Sequence, residues 1–228
     1  MLIDALRYPT RGADSLTVAG IVVAVAVGYR YTAEFVPSIV AVVPGTVTMA
    51  GIVLLVGYLS QVLIDDSQSP PPIDVRSALG AGIKSLGIAI GYLVVPTVVM
   101  VTTVLSFVET GGDASNGVPA VFLISSTAAL FFFLTSAYAL PAALAAATTD
   151  GVRAAIDREQ VFPALGELSY ATGLITGFTL FGIGLIPITT TLGSGDIAGL
   201  LSALFGAYLL LVGSRVIHTG YRRATTSK

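Results

Sequence analysis

The chain has 228 residues, of which 54% are hydrophobic and 11% charged, with a formal net charge of −2. Soluble domains carry roughly a quarter charged residues, so this composition excludes an ordinary water-soluble fold, and the near-neutral balance gives no reason to expect a nucleic-acid partner. The absence of cysteine excludes disulfides, thiolate metal ligands and thiol nucleophiles.

In chain order, Met1–Arg11 reads as a short amphipathic segment lying in the headgroup layer. The first apolar stretch, Leu16–Val36, follows it. Its Ala24-Val25-Ala26 is like a signal-cleavage site, but the apolar start at Met1 and the match of this span to two later ones favour a retained helix. Ser38–Ile64 is the second stretch, and Pro70-Pro71-Pro72 is a stiff extended stop behind it. Ala78–Val108, Val118–Thr148, Leu165–Leu192 and Ile197–Ile217 complete a set of six. Each is near or above the 20 or so apolar residues that cross about 30 Å of hydrocarbon.

Between the fourth and fifth stretches, Asp150–Leu165 predicts another flat helix, with Val152, Ala155 and Ile156 on one face and Arg153, Asp157 and Arg158 on another. The opposite turns, Tyr31–Phe35, Thr110–Gly117 and Gly193–Asp196, are too short to fold separately. Pro44, Pro96, Pro141 and Pro187, inside or at the ends of the stretches, predict kinks.

Ten of the eleven basic residues, all except Arg30, fall at the same side of this six-span reading. The asymmetry predicts a multi-pass protein of the cell membrane with both termini cytoplasmic. Ala24-x-x-x-Gly28-Tyr29, Gly87-x-x-x-Gly91-Tyr92 and Gly173-x-x-x-Gly177-Phe178 recur in alternate spans. Tyr58, Tyr138 and Tyr208 recur in the others. The expectation is therefore an all-α polytopic membrane protein: one integral domain, 1–228, of three parallel helical-hairpin repeats (about 1–66, 67–149 and 150–228) with short interfacial helices. Ala24, Gly28, Gly87, Gly91, Gly173 and Gly177 are the expected helix-packing positions, since helices in lipid associate through close backbone approach.

Ionisable groups at membrane depth are the candidates for chemistry. Lys84, Glu167 and Arg215 form the candidate site, a polar cluster in an inner vestibule that binds an anionic headgroup or gates a path. The competing reading is that Lys84 and Arg215 snorkel separately to phosphates. Arg30 and Glu34, four apart, predict a surface ion pair. Gly193-Ser194-Gly195-Asp196 resembles the Gly-x-Gly-Asp motif of intramembrane aspartyl proteases. That chemistry needs a second aspartate in a span, and none is present, so Asp196 reads as a helix cap. With His218 as the lone histidine, no catalytic residue, metal site or cofactor is expected.

Asp4-Ala5-Leu6-Arg7-Tyr8-Pro9, Gly57-Tyr58-Leu59 and Pro70-Pro71-Pro72 ahead of Gly82-Ile83-Lys84 resemble the domain-of-unknown-function family four-zero-one-three. Gln61-Val62-Leu63-Ile64 departs from the Arg that often follows Gly-Tyr in that family. The resemblance implies an archaeal, salt-adapted multi-pass membrane protein and carries over no activity and no site residue. On the residues alone, the leading function is a non-enzymatic scaffold that organises lipid or binds partners: membrane lipids, further copies of itself or other membrane proteins. A small transporter or channel is the alternative, and an intramembrane enzyme ranks last.

Overall fold

The computed structural model describes residues 2–12, 14–109, 120–191 and 197–226, and is all-α among them. Two turns expected from the sequence, Thr110–Gly117 and Gly193–Asp196, lie outside the described residues. Six helices are long and apolar enough to cross a bilayer: α2 (Ser15–Phe35), α3 (Val42–Val62), α4 (Val75–Glu109), α5 (Ala120–Asp150), α7 (Leu168–Thr191) and α8 (Ile197–Thr226). Two short helices, α1 (Leu2–Arg7) and α6 (Arg158–Leu165), precede α2 and α7.

Local chemistry sets the boundaries. Asp74 accepts hydrogen bonds from the Arg76 and Ser77 amides and so starts α4 directly after the proline stop. Pro70 to Pro72 lie before it as extended backbone, as expected of a proline stop, because proline cannot enter a helix interior. Asp157 caps α6 by accepting from Glu159 N at 3.0 Å. Residues Val152–Ile156 form a 3-10 turn, introduced by Gly151 at φ 88°. With three residues per turn rather than 3.6, the buried face is Ala154 and Ala155, and Val152 and Ile156 are exposed; this corrects the face expected from α-helical spacing.

At 35 residues α4 is about 52 Å long, well over the hydrocarbon thickness. Its first turns, with Arg76, therefore stand outside. Likewise α8 runs nine residues past the apolar stretch ending at Ile217 and carries His218, Arg222 and Arg223 beyond it. Hydroxyls inside the spans are satisfied within their own helices: Thr48 donates to Pro44 O, Thr102 to Val98 O and Thr179 to Ile175 O. Large apolar side chains such as Val104, Phe131, Ile175 and Leu201 point outward, as lipid allows and water does not.

Neighbouring helices pack in the order α5, α4, α3, α2, α8, α7. Half of the apolar window of α8 is buried, the largest share of any span. Glycine makes this possible. A Cβ on Gly57 would overlap Ala78 O across the α3–α4 contact, and one on Gly82 would overlap Val53 O. Along α7–α8, Gly173 meets Gly220, Gly177 meets Gly213, and Gly184 meets Gly206. This seam brings the two backbones into contact.

The basic ends of the helices are tied by three tyrosines. Tyr58 of α3 donates to Pro71 O at 3.0 Å, Tyr138 of α5 donates to Leu165 O at 2.8 Å, and Tyr208 of α8 donates to Leu6 O. Each acceptor lies in the segment leading into α4, α7 and α2 respectively. The recurrent tyrosines thus do not cluster; they reach three separate carbonyls.

Candidate functional site

Lys84, Gly87, Ile88, Gly91, Tyr92 and Val95 are spaced 3, 4, 7, 8 and 11 residues from the first of them, which places them on one face of α4. That face is turned toward α5 and the Val152–Phe162 stretch, but does not close on them. A groove of about 770 Å³ remains. Its floor is smooth, because apart from the local backbone of α4 nothing lies within 4 Å of where a Cβ on Gly87 or Gly91 would stand. Val95, Pro96 and Phe132 continue the apolar wall.

At the basic end the groove is lined by Lys84 and Arg158. Both are exposed, and neither has an ion-pair partner among the described residues. The Tyr92 hydroxyl donates to Ala155 O and ties α4 to the 3-10 turn. Ala142, Ala143 and Ala146 of α5 are buried against Ala154, Ala155, Val161 and Ala164, and these small side chains let the turn and α6 lie close over the end of the groove. The arrangement has no nucleophile paired with a base. What it offers is two cations at one end of a long apolar surface, the chemistry that holds an anionic amphiphile.

The residues expected to form one polar cluster are distributed over three places. Lys84 is in the groove. Arg215 instead faces α1 and the turn after α3, donating to Asp65 O and to Ser67 O at 2.7 Å. Glu167 sits at the break between α6 and α7, where its carbonyl accepts from Tyr170 and Ala171. No hydrogen bond or ion pair joins any two of the three. The physical reason is that α8 packs on α7 and α2, whereas the Lys84 face of α4 looks to α5.

The small residues divide similarly. Gly28 lies against Pro44 O and Thr48, and Gly173 and Gly177 lie in the α7–α8 seam. Gly87 and Gly91, expected at a helix contact, line the groove instead, and Ala24 is exposed. Arg30 Nε and Glu34 Oε1 pair at 3.0 Å on the surface. His218 is buried, with Nδ1 2.8 Å from Leu63 O and Nε2 3.3 Å from Asp66 Oδ1, which also accepts from Arg222 at 2.8 Å.

Sequence reasoning missed Arg158, Tyr92 and Phe162 as groove residues. The helical spacing of Lys84, Gly87 and Gly91 was the available signal. It also missed Gly206, Gly213 and Gly220, whose seven-residue spacing marks one face of α8.

The family described as protein of unknown function DUF4013 matches residues 39–193, and the chain belongs to it. No curated protein and no solved structure matches the chain. The matched stretch runs from just before α3 to just past α7 and holds the whole groove.

Proposed function

We propose that this DUF4013 protein is a non-enzymatic membrane scaffold that holds and organises anionic lipid. The single observation that carries the reading is the groove on α4, with an apolar floor that side chains leave open and with Lys84 and Arg158 at its basic end. A lipid phosphate lies between the two cations, and an acyl chain runs over Gly87 and Gly91. The partners on this reading are membrane lipids, further copies of the chain and other membrane proteins.

The basic end faces the cytoplasm of an archaeal, salt-adapted cell, with both termini on that side. The domain is built as three parallel helical hairpins. In support, Tyr58, Tyr138 and Tyr208 each bind the segment that leads into a following first helix, and the third of them returns to the segment before α2. Against transport through the bundle stands the in-helix bonding of the span hydroxyls Thr48, Thr102 and Thr179, which leaves them turned to their own backbone.

The test is the lipid retained through purification, measured by native mass spectrometry. The wild-type chain is expected to keep anionic phospholipid. Lys84→Gln with Arg158→Gln is expected to lose the headgroup preference, and Gly91→Leu, which has room to fold, is expected to lower total occupancy. Unchanged lipid in both variants overturns the reading.

A further inference from the structure

A second cavity, of about 320 Å³, lies where α1 closes over the basic end of α8. Its wall includes Asp4, Tyr8, Arg11, Gln68, Arg215 and Arg223. Three guanidinium groups and one carboxylate line it, and the Asp65 carboxylate is near enough to act on Tyr8. At roughly 30 Å³ per water, the space admits a ligand of several heavy atoms with some of its hydration.

Arg215 is fixed before any ligand arrives. It donates to the carbonyls of Asp65 and Ser67, and its guanidinium carbon stands 4.7 Å from the centre of the Tyr8 ring. Carbonyls and a ring face orient a guanidinium without neutralising it. Among the described residues no carboxylate is within ion-pair distance of it. Tyr8 is itself only 1% exposed, and its hydroxyl is a buried polar atom with no hydrogen-bond partner among the described residues. Arg11 lines the same cavity and is exposed.

We propose that this cavity is a binding site for an oxyanion of the phosphate class, with Arg215 as its fixed cation and Arg11 as the one that closes on it. Guanidinium suits this ligand because its planar donors match phosphoryl oxygens in pairs. The site is separate from the lipid groove: it is formed by α1, the 3-10 turn that follows it, α8 and the turn after α3, and shares no residue with it. Its oxyanion comes either free from the aqueous side or on a lipid headgroup.

The experiment uses the full chain at about 0.15 M salt, where loose surface attraction is screened beyond roughly 8 Å. Thermal stability and calorimetric binding are read with inorganic phosphate in uncharged detergent. They are read again in lipid discs containing phosphatidylglycerol or phosphatidylcholine alone. A response to inorganic phosphate assigns a free oxyanion, and a response to phosphatidylglycerol discs alone that depends on Arg11 assigns a headgroup; both support the site. Arg11→Gln is expected to weaken the response about tenfold or more. Arg76→Gln, the same change of charge on α4, is expected to leave it intact. No response to either ligand source overturns the proposal, and so does an equal loss in Arg11→Gln and Arg76→Gln. Lys84→Gln leaves the part of the response that depends on Arg11 unchanged, which keeps it distinct from the groove.

Discussion

The Tyr170 hydroxyl accepts the amide of Ala142 at 3.2 Å and passes the bond on to the Tyr138 carbonyl at 2.7 Å. Residues 138 and 142 are the i and i+4 partners of an α-helical rung, so a side chain from α7 bridges a backbone pair of α5. Pro141 sits beside this rung and lacks an amide of its own. Insertion of a side chain into the ladder is a recognised cause of helix bending, and here it also joins two helices that otherwise touch little. The basic end of α5 is thus held by Tyr170, by its own Tyr138 and by the alanine face under the 3-10 turn.

Tyr170→Phe is therefore expected to cost about 1–3 kcal/mol, the range for leaving buried polar groups unpaired. Tyr170 is fully buried, so no water replaces the hydroxyl cheaply. Chemical unfolding in detergent checks the loss. Wild-type stability in Tyr170→Phe shows that the Ala142 and Tyr138 groups pair directly once the hydroxyl is gone.

Glycine substitutions are expected to separate contact from groove. At Gly57 an added Cβ meets the Ala78 carbonyl and the Gly82 amide, both backbone, so Gly57→Ala forces α3 and α4 apart. The expected cost is about 3 kcal/mol or more, at or above the upper range for overpacking. At Gly87 the same methyl meets nothing within 4 Å, and Gly87→Ala is expected to be neutral or stabilising by up to about 1 kcal/mol through helix propensity. Thermal midpoints of the two variants in one detergent give the comparison, and equal midpoints contradict it.

The contrast between Gly57 and Gly87 also shows what the sequence can carry. Long apolar runs located six helices, all but the far end of α8 to within a few residues, because hydrocarbon demands about 20 apolar residues in succession. Small residues four apart were visible, but spacing alone does not say whether a glycine faces a neighbouring helix or open space. Gly177 and Gly91 have the same local pattern and opposite surroundings. Lys84 and Arg215 illustrate the second limit. Both are cations near the same end of the bundle, yet which helix each one faces depends on the packing order of α4 and α8, and no local pattern encodes that order. Arg215 is placed by carbonyls at Asp65 and Ser67, 150 and 148 residues away. Such acceptors have no sequence signature, since every residue supplies one.

The tyrosine ties are expected to act on the straps rather than on the spans. Tyr58 holds Pro71 from a fully buried position. Tyr58→Phe frees that carbonyl and loosens the stretch from Asp65 to Pro72, at a cost of about 1 kcal/mol. Proteolysis between α3 and α4 is expected to speed up while cleavage between α5 and α6 stays the same; the reverse is expected for Tyr138→Phe, whose acceptor is Leu165. Equal acceleration at both places in either variant would show that the ties report global stability only.

Alkaline pH tests the burial of Tyr8 at the rim of the arginine cavity. Desolvation pushes its phenol up to about 12; Arg215 partly offsets this, and Asp65 adds to it. In the unfolded chain the value is about 10, so the fold favours the neutral hydroxyl. Below pH 10 both states keep the proton and the contribution is whole. As pH rises from 10 through 12 the unfolded chain ionises first, and stability falls by up to about 3 kcal/mol for this group. Tyr8→Phe removes the proton from both states and is expected to flatten that part of the profile relative to wild type, while leaving the profile below pH 9 parallel. An unchanged alkaline slope in Tyr8→Phe assigns the loss to the other tyrosines and places the Tyr8 hydroxyl in contact with water.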